Sequence, residues 1–161
     1  MHVRVGRLRA GIDGDGDGAR IMRRASVVAQ HGGSMTFARR TYRVAAIYGI
    51  LALAPMYLLE ERIGRDQPPP ITHPEHFYGF VGVALAWQIA FLVIARDPVR
   101  FRPLMPVTIV EKLAFGIPVL VLFAQGRLAA AVLPFALIDL TLAVLFAAAY
   151  RATPASAAGT A

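Results

Sequence analysis

The chain has 161 residues, of which 57% are hydrophobic and 17% are charged, and it contains no cysteine. Soluble domains carry more charge, and the apolar residues here fall in blocks of bilayer length, which indicates an integral membrane protein. The lack of cysteine excludes disulfides, thiolate nucleophiles and cysteine-ligated metals. The formal net charge is +7, but most arginines flank apolar blocks. This placement favours lipid headgroups as partners and argues against nucleic acid.

Residues 1–34 differ from the rest because they are basic and contain no long apolar run. They hold six arginines and a glycine–aspartate run, Gly11–Gly18. We expect a disordered basic leader, because a secretory signal would need a continuous apolar core. Gly32 and Gly33 can be encoded by a ribosome-binding sequence just before Met35, so a further hypothesis is that Met35 is the true start. A nucleotide sequence without a purine-rich run at these codons would contradict it.

Four apolar blocks follow, each long enough to span a membrane as a helix. The predicted helices cover about 42–59, 77–95, 105–123 and 128–150. They form one membrane domain, 35–151, followed by a disordered tail, 152–161. Pro55 and Pro118 predict interruptions in the first and third helices, and the proline-rich connector Gly64–Pro74 predicts a stiff extended loop. The predicted fold class is therefore all-α, a four-helix transmembrane bundle.

Basic residues in the connections predict the orientation of the bundle. If the N-terminus is cytoplasmic, seven arginines lie on that side of the membrane and three on the other. The two sets are Arg39, Arg40, Arg43, Arg96, Arg100, Arg102 and Arg151, against Arg62, Arg65 and Arg127. Both termini are thus predicted to be cytoplasmic, in a bacterial inner membrane. Tyr42 and Tyr150 are expected near one interface, and Tyr57 and Tyr78 near the other.

The third block carries Glu111 and Lys112 side by side, and ionisable residues at membrane depth are costly without partners. At about 1.5 Å per residue along each helix, Gln88 and Asp139 fall at a similar depth. The helical stripe that contains Lys112 predicts a pair with Asp139 on the fourth helix. Glu111 is rotated by about 100° from its neighbour, so we expect it to bond to Gln88, an arginine or water.

Two interpretations of this polar layer stay open. Interhelical polar contacts can simply fix helix register, whereas intramembrane acids can also mark a proton relay or a headgroup pocket. The candidate site residues are Gln88, Glu111, Lys112, Asp139 and Trp87, and the Trp87 indole is expected to find a partner inside the bundle. A functional site predicts a cavity lined by Glu111 and Asp139 with Trp87 in its wall. A structural role predicts a dry contact between Lys112 and Asp139.

Small residues recur at helical spacing on the second helix, at Gly79, Gly82, Ala86 and Ala90. Such a stripe predicts a face that allows close approach of a neighbouring helix. The neighbour could belong to this chain, to a second copy in a homo-oligomer or to a membrane partner protein.

The connector before the second helix holds weak metal-ligand candidates, His73, His76 and Glu60. Their spacing resembles metal-binding patterns only loosely, because no helical His-Glu-x-x-His is present. No metal and no cofactor are therefore predicted, and a solvated loop is the simpler interpretation.

The stretch Pro74–Gln88, PEHFYGFVGVALAWQ, continuing to Asp97 and Pro98, resembles uncharacterised small bacterial membrane proteins with four predicted helices. The Glu111–Lys112 pair and the Ile138–Leu140 segment fit the same resemblance, which covers about residues 40–150. A looser, architectural similarity links the chain to DoxX-like four-helix proteins. These resemblances imply a four-helix membrane fold and carry no established activity.

The expected function is that of a small integral membrane protein with a structural, accessory or lipid-interacting role and no enzymatic activity. The alternative is a membrane-embedded transporter or enzyme. It would act on a lipophilic substrate through the layer of Glu, Lys, Asp and Gln side chains.

Overall fold

The computed structural model of the chain describes residues 15–67 and 70–155. Its α-helices are α1 (Asp15–Leu53), α2 (Glu60–Asp66), α3 (Pro74–Arg96), α4 (Met105–Ala124) and α5 (Leu133–Ala152). Four stretches are long and apolar enough to cross a membrane: Gly32–Leu58, Pro74–Arg96, Arg102–Ala124 and Ala130–Ala152. The prediction of an all-α bundle built from four helices of transmembrane length is confirmed.

The first helix begins much earlier than its apolar block. Residues 15–34 continue α1, so the expectation of a disordered leader is wrong for them. This stretch contains no proline, so nothing in it blocks a helix that the apolar part has already nucleated, although its glycines lower the helix propensity. Residues 1–14 lie outside the described range, and the hypothesis of a start at Met35 stays a prediction.

Pro55 ends α1 rather than kinking it. The chain leaves α1 at Leu53 and forms a 3-10 turn, Ala54–Leu58, of which Pro55 is the second residue. Proline has no N–H to donate, so it suits the start of a new turn better than the interior of a helix.

The segment after this turn also differs from the prediction. Residues 60–66 form α2, although an extended loop was expected to begin at Gly64. Acidic side chains at Glu60 and Glu61 in the first turn and Arg65 in the last turn favour this short helix, because they complement its dipole.

Pro118 lies inside α4 without ending it, so the predicted break in the third helix is wrong. Proline removes a single donor, and helices packed in a membrane bundle tolerate this loss. The helix ends instead at Ala124, and Gly126, two residues later, adopts a left-handed φ of +69°. Gly126 N–H donates to Phe123 O and Arg127 N–H to Leu122 O, both at 2.9 Å, which is a Schellman ending.

The four long helices are arranged as two close pairs. α1 packs along α3 and α4 packs along α5, while α1 also contacts α5. α3 and α4 contact each other much less, so the order around the bundle is α3, α1, α5, α4. We call the end that holds residues 97–104 and the last turn of α5 the connector end, and the opposite end the α2 end.

The aromatic core lies toward the connector end. Tyr42 is fully buried there, stacked on Phe146 with ring centroids 4.3 Å apart. Its hydroxyl donates a 2.8 Å hydrogen bond to Thr108, because the Thr108 hydroxyl donates in turn to the Met105 carbonyl. Tyr42 was expected at an interface, but Thr108 supplies the partner that a buried tyrosine needs.

Candidate functional site

Lys112 is the centre of the polar layer. Its ammonium Nζ lies 3.2 Å from Asp139 Oδ1 on α5 and 3.3 Å from both carboxylate oxygens of Glu111. The three side chains are largely buried, with exposed fractions of 7% for Lys112, 17% for Glu111 and 16% for Asp139. One lysine therefore bridges two acids and ties α4 to α5.

The pairing of Lys112 with Asp139 is the one predicted from the residues that share a helical face with each of them. Lys112 is buried on α4 together with Thr108 and Gly116, which lie on the same face. Glu111 differs from the prediction, because it contacts Lys112 instead of Gln88 or an arginine. Adjacent Cα–Cβ bonds diverge on a helix, but the flexible four-carbon stem of lysine reaches back to its neighbour. The expectation of separate partners for the two charges is therefore wrong.

One carboxylate oxygen in this layer lacks a hydrogen bond. Lys112 donates to Glu111 Oε1 at 3.3 Å, but Glu111 Oε2, although equally close, accepts none among the described residues. Buried polar atoms are nearly always paired, so this oxygen, which has only the ion pair with Lys112, is the under-satisfied acceptor of the layer among the described residues.

Gln88 is positioned by a glycine on the neighbouring helix. The side chain is 2% exposed, and its Nε2 donates a 3.0 Å hydrogen bond to Ala84 O. A Cβ placed on Gly49 would collide with the Gln88 amide, so only glycine leaves room for this side chain between α1 and α3. Sequence reasoning missed Gly49, although a glycine within an apolar helix is the usual signal for close approach.

The predicted small-residue face of α3 packs only in part within the described part of the chain. A Cβ added at Gly79 meets no atom within 4 Å, and Ala86 is exposed. Gly82 is near one side chain, since its added Cβ would lie 3.2 Å from the Tyr57 hydroxyl, and Ala90 is half-buried. A role for this face in a homo-oligomer or with a partner protein stays a prediction.

A cavity of about 450 Å³ lies between the four long helices on the α2 side of the polar layer. On α3, α4 and α5 the lining residues nearest the connector end are polar, and they form what we call the polar floor: Gln88, Glu111, Lys112 and Asp139. The walls are mainly apolar, with Phe80, Phe115 and Phe135 as their aromatic members. Tyr48 of α1 also lines the cavity.

The short helix α2 and the residue before it cover the cavity at its α2 end. Leu59 and Ile63 line the cavity there. The Tyr78 hydroxyl of α3 donates a 2.6 Å hydrogen bond to Glu60, and Tyr57 stacks on Tyr78 with centroids 5.7 Å apart. These contacts hold the segment around α2 against α3.

Trp87 does not line the cavity. Its ring packs against the core, with its centroid 6.4 Å from that of Phe91. The predicted role of Trp87 as a wall residue is therefore wrong.

The structure combines parts of the two interpretations of the polar layer. An ion-paired layer and a cavity bounded by Glu111 and Asp139 occur together.

The weak metal candidates are only partly brought together. Ligand atoms of His73, Glu75 and His76 lie within 4.8 Å of one another, and all three side chains are exposed. His73 Nδ1 lies 3.1 Å from Glu75 Oε1, a local contact that accounts for this proximity without an ion. Glu60 is directed elsewhere, because it accepts the hydrogen bond of Tyr78.

Comparisons with protein-family models, with curated proteins and with solved structures found no match. The resemblance to small four-helix membrane proteins stays a prediction, and the cavity is the feature of the bundle that bears on function. Its apolar walls suit a lipophilic body, and its polar floor suits a single polar end.

Proposed function

We propose that this protein holds a lipophilic molecule with a polar end inside its transmembrane helix bundle. The cavity carries the proposal, because apolar walls rise from a polar floor of buried charged groups. Ligand sites generally combine apolar walls with a few convergent polar groups, and they enclose roughly 300–1,000 Å³. The volume here, about 450 Å³, falls within that range.

A binding role fits the polar floor better than catalysis. Both carboxylates are already within 3.3 Å of Lys112, so neither is a free acid or base beside the cavity. The same bridge holds α4 against α5, which gives these residues a structural role as well. The proposed role is thus that of a lipid-interacting or accessory component of the membrane.

The binding proposal is tested by titrating dodecanol into phosphatidylcholine nanodiscs that contain the protein and measuring the heat of binding by calorimetry. Empty nanodiscs give the heat that comes from partitioning of dodecanol into the lipid alone. We expect saturable binding to the wild-type protein. Ala84→Phe fills the cavity and should weaken binding by at least about tenfold, because it removes the volume for the chain. Ala86→Phe is the matched control on the exposed side of the same helix and should bind like the wild type. Binding that never exceeds the empty nanodiscs, or that survives Ala84→Phe, would overturn the proposal.

We further propose that the connector end faces the cytoplasm of a bacterial cell and that the bundle lies in its inner membrane. The excess of arginines near the connector end supports this orientation. The chain has no cysteine, so single cysteines at two exposed positions report the side of the membrane. Gln125→Cys should react with an impermeant maleimide in intact cells, and Arg100→Cys only after permeabilisation. The reverse pattern would place the termini outside.

A further inference from the structure

We infer that the polar end of the bound molecule carries one positive charge, so that the ligand is a lipophilic amine. This inference rests on the proposed function, because it assigns the chemistry of the molecule that the cavity holds. Three properties of the polar floor support it: the count of charges, the count of hydrogen-bond acceptors and the aromatic walls above it.

The charges of the floor do not balance without a further cation. Glu111 and Asp139 supply two carboxylates and Lys112 one ammonium, and these are the only Asp, Glu, Lys or Arg side chains that line the cavity in the described part of the chain. When all three are ionised, one negative charge remains uncompensated. Buried charges are costly unless they are paired, so a ligand that brings one positive charge completes the set.

The floor also has more acceptors than donors. Lys112 directs its donors to Glu111 and Asp139, and the Gln88 amide group donates to Ala84 O. Glu111 Oε2 remains without a hydrogen bond among the described residues. An alkylammonium group supplies N–H donors and accepts none, whereas a carboxylate or phosphate would add acceptors to an acceptor-rich floor.

The walls next to the floor favour the same ligand. Phe115 lies one helical turn from Glu111 and Lys112, and Phe80 and Phe135 line the cavity as well. Aromatic faces attract ammonium groups, as the position of Lys112 Nζ, 5.4 Å from the Phe91 ring centroid, shows within this protein. The chain as a whole carries a net charge of +7, so a preference for cations would have to arise locally.

Three probes with the same apolar chain and different polar ends test the inference: dodecylamine, dodecanol and dodecanoate. Each is titrated into nanodiscs of zwitterionic phosphatidylcholine, and the signal of empty nanodiscs is subtracted. We expect dodecylamine to bind at least about tenfold more tightly than dodecanol, and dodecanoate to bind most weakly. Ala84→Phe should abolish this preference, because it blocks the cavity and leaves the surface of the bundle unchanged.

Two variants assign the preference to the floor. Glu111→Gln and Asp139→Asn each remove one negative charge with little change of shape, so both should bring dodecylamine and dodecanol to within about twofold of each other. Glu75→Gln makes the same chemical change on an exposed carboxylate and should keep the wild-type preference. Thermal melting of each variant in nanodiscs identifies any variant that fails to fold. The binding preference of a variant that does fold then shows whether the floor carboxylates select the amine.

The outcomes separate this inference from the proposed function. If the three probes bind alike and Ala84→Phe weakens all of them, the cavity binds lipophilic molecules without a preference for cations, and the inference is wrong. If none binds above the empty nanodiscs, the proposed function fails as well. A preference for dodecylamine that persists in Ala84→Phe would place the amine at the protein surface and would also overturn the inference.

Discussion

Replacing Lys112 with methionine should lower the free energy of unfolding by about 3–5 kcal/mol, since breaking a buried ion pair leaves uncompensated charge in an apolar interior. Lys112 is the bridge between Glu111 and Asp139, so its loss leaves two buried acids without a cation. Methionine is unbranched and apolar and is only one heavy atom shorter than lysine, so the packing of α4 is largely preserved. Unfolding in mixed micelles with increasing sodium dodecyl sulfate measures the difference.

Removal of the acids together with the lysine serves as the control for this prediction. The triple variant Glu111→Gln, Lys112→Met, Asp139→Asn carries no charge in the layer and should regain most of the lost stability. Replacing a whole buried ion pair costs far less than breaking it. A loss below about 1 kcal/mol for Lys112→Met alone, the size of an ordinary contact between membrane helices, would mean that the bridge does not stabilise the bundle.

The spans of α3 and α4 could be predicted from sequence because the chain changes abruptly from apolar to charged or proline-rich at their ends. The predicted third helix covers 105–123, and α4 is Met105–Ala124. The predicted second helix covers 77–95, and α3 is Pro74–Arg96, which is longer at its start because proline suits a first turn. The pairing of Lys112 with Asp139 also followed from sequence, because helical periodicity fixes which residues share a face.

The errors arose where a side chain could reach more than one partner or where an element lacked an apolar signal. The link between Glu111 and Lys112 depends on a flexible stem whose path periodicity does not determine. α2 is short and charged, so no hydrophobic pattern reveals it. The burial of Tyr42 required the hydroxyl of Thr108 on another helix, a contact between residues far apart in sequence.

The volume and the apolar walls of the cavity had no signature in the sequence, although a functional site at Glu111 and Asp139 implied a cavity there. It exists because α3 and α4 pack less closely than the other neighbouring helices, while α1 approaches α3 closely at Gly49 and α4 approaches α5 closely at Gly116. An added Cβ at Gly116 would lie 2.8 Å from Leu140. The space between helices depends on such close contacts in three dimensions, and periodicity along one helix carries no information about them. The polar floor was foreseeable, but the apolar volume above it was not.

Gly49→Ala should lower the free energy of unfolding by about 1–3 kcal/mol, the usual cost of inserting a methyl group into a packed interior. The new Cβ would overlap the Gln88 amide, so Gln88 has to leave its hydrogen bond with Ala84 O. The same substitution at Gly79 meets no atom within 4 Å, which makes it the matched control. Gly79→Ala should be neutral or stabilise by up to about 1 kcal/mol, because alanine favours the helix.

A double-mutant cycle assigns the Gly49 effect to its contact with Gln88. Gln88→Ala removes the amide group that the new methyl group would meet, so Gly49→Ala should cost much less in that background, with a coupling of about 1–2 kcal/mol. Gln88 also forms part of the polar floor, so a shift of its side chain changes the cavity, and dodecanol binding should therefore weaken in Gly49→Ala alone. Equal unfolding free energies for Gly49→Ala and Gly79→Ala would show that Gln88 yields without cost and that Gly49 does not position the floor.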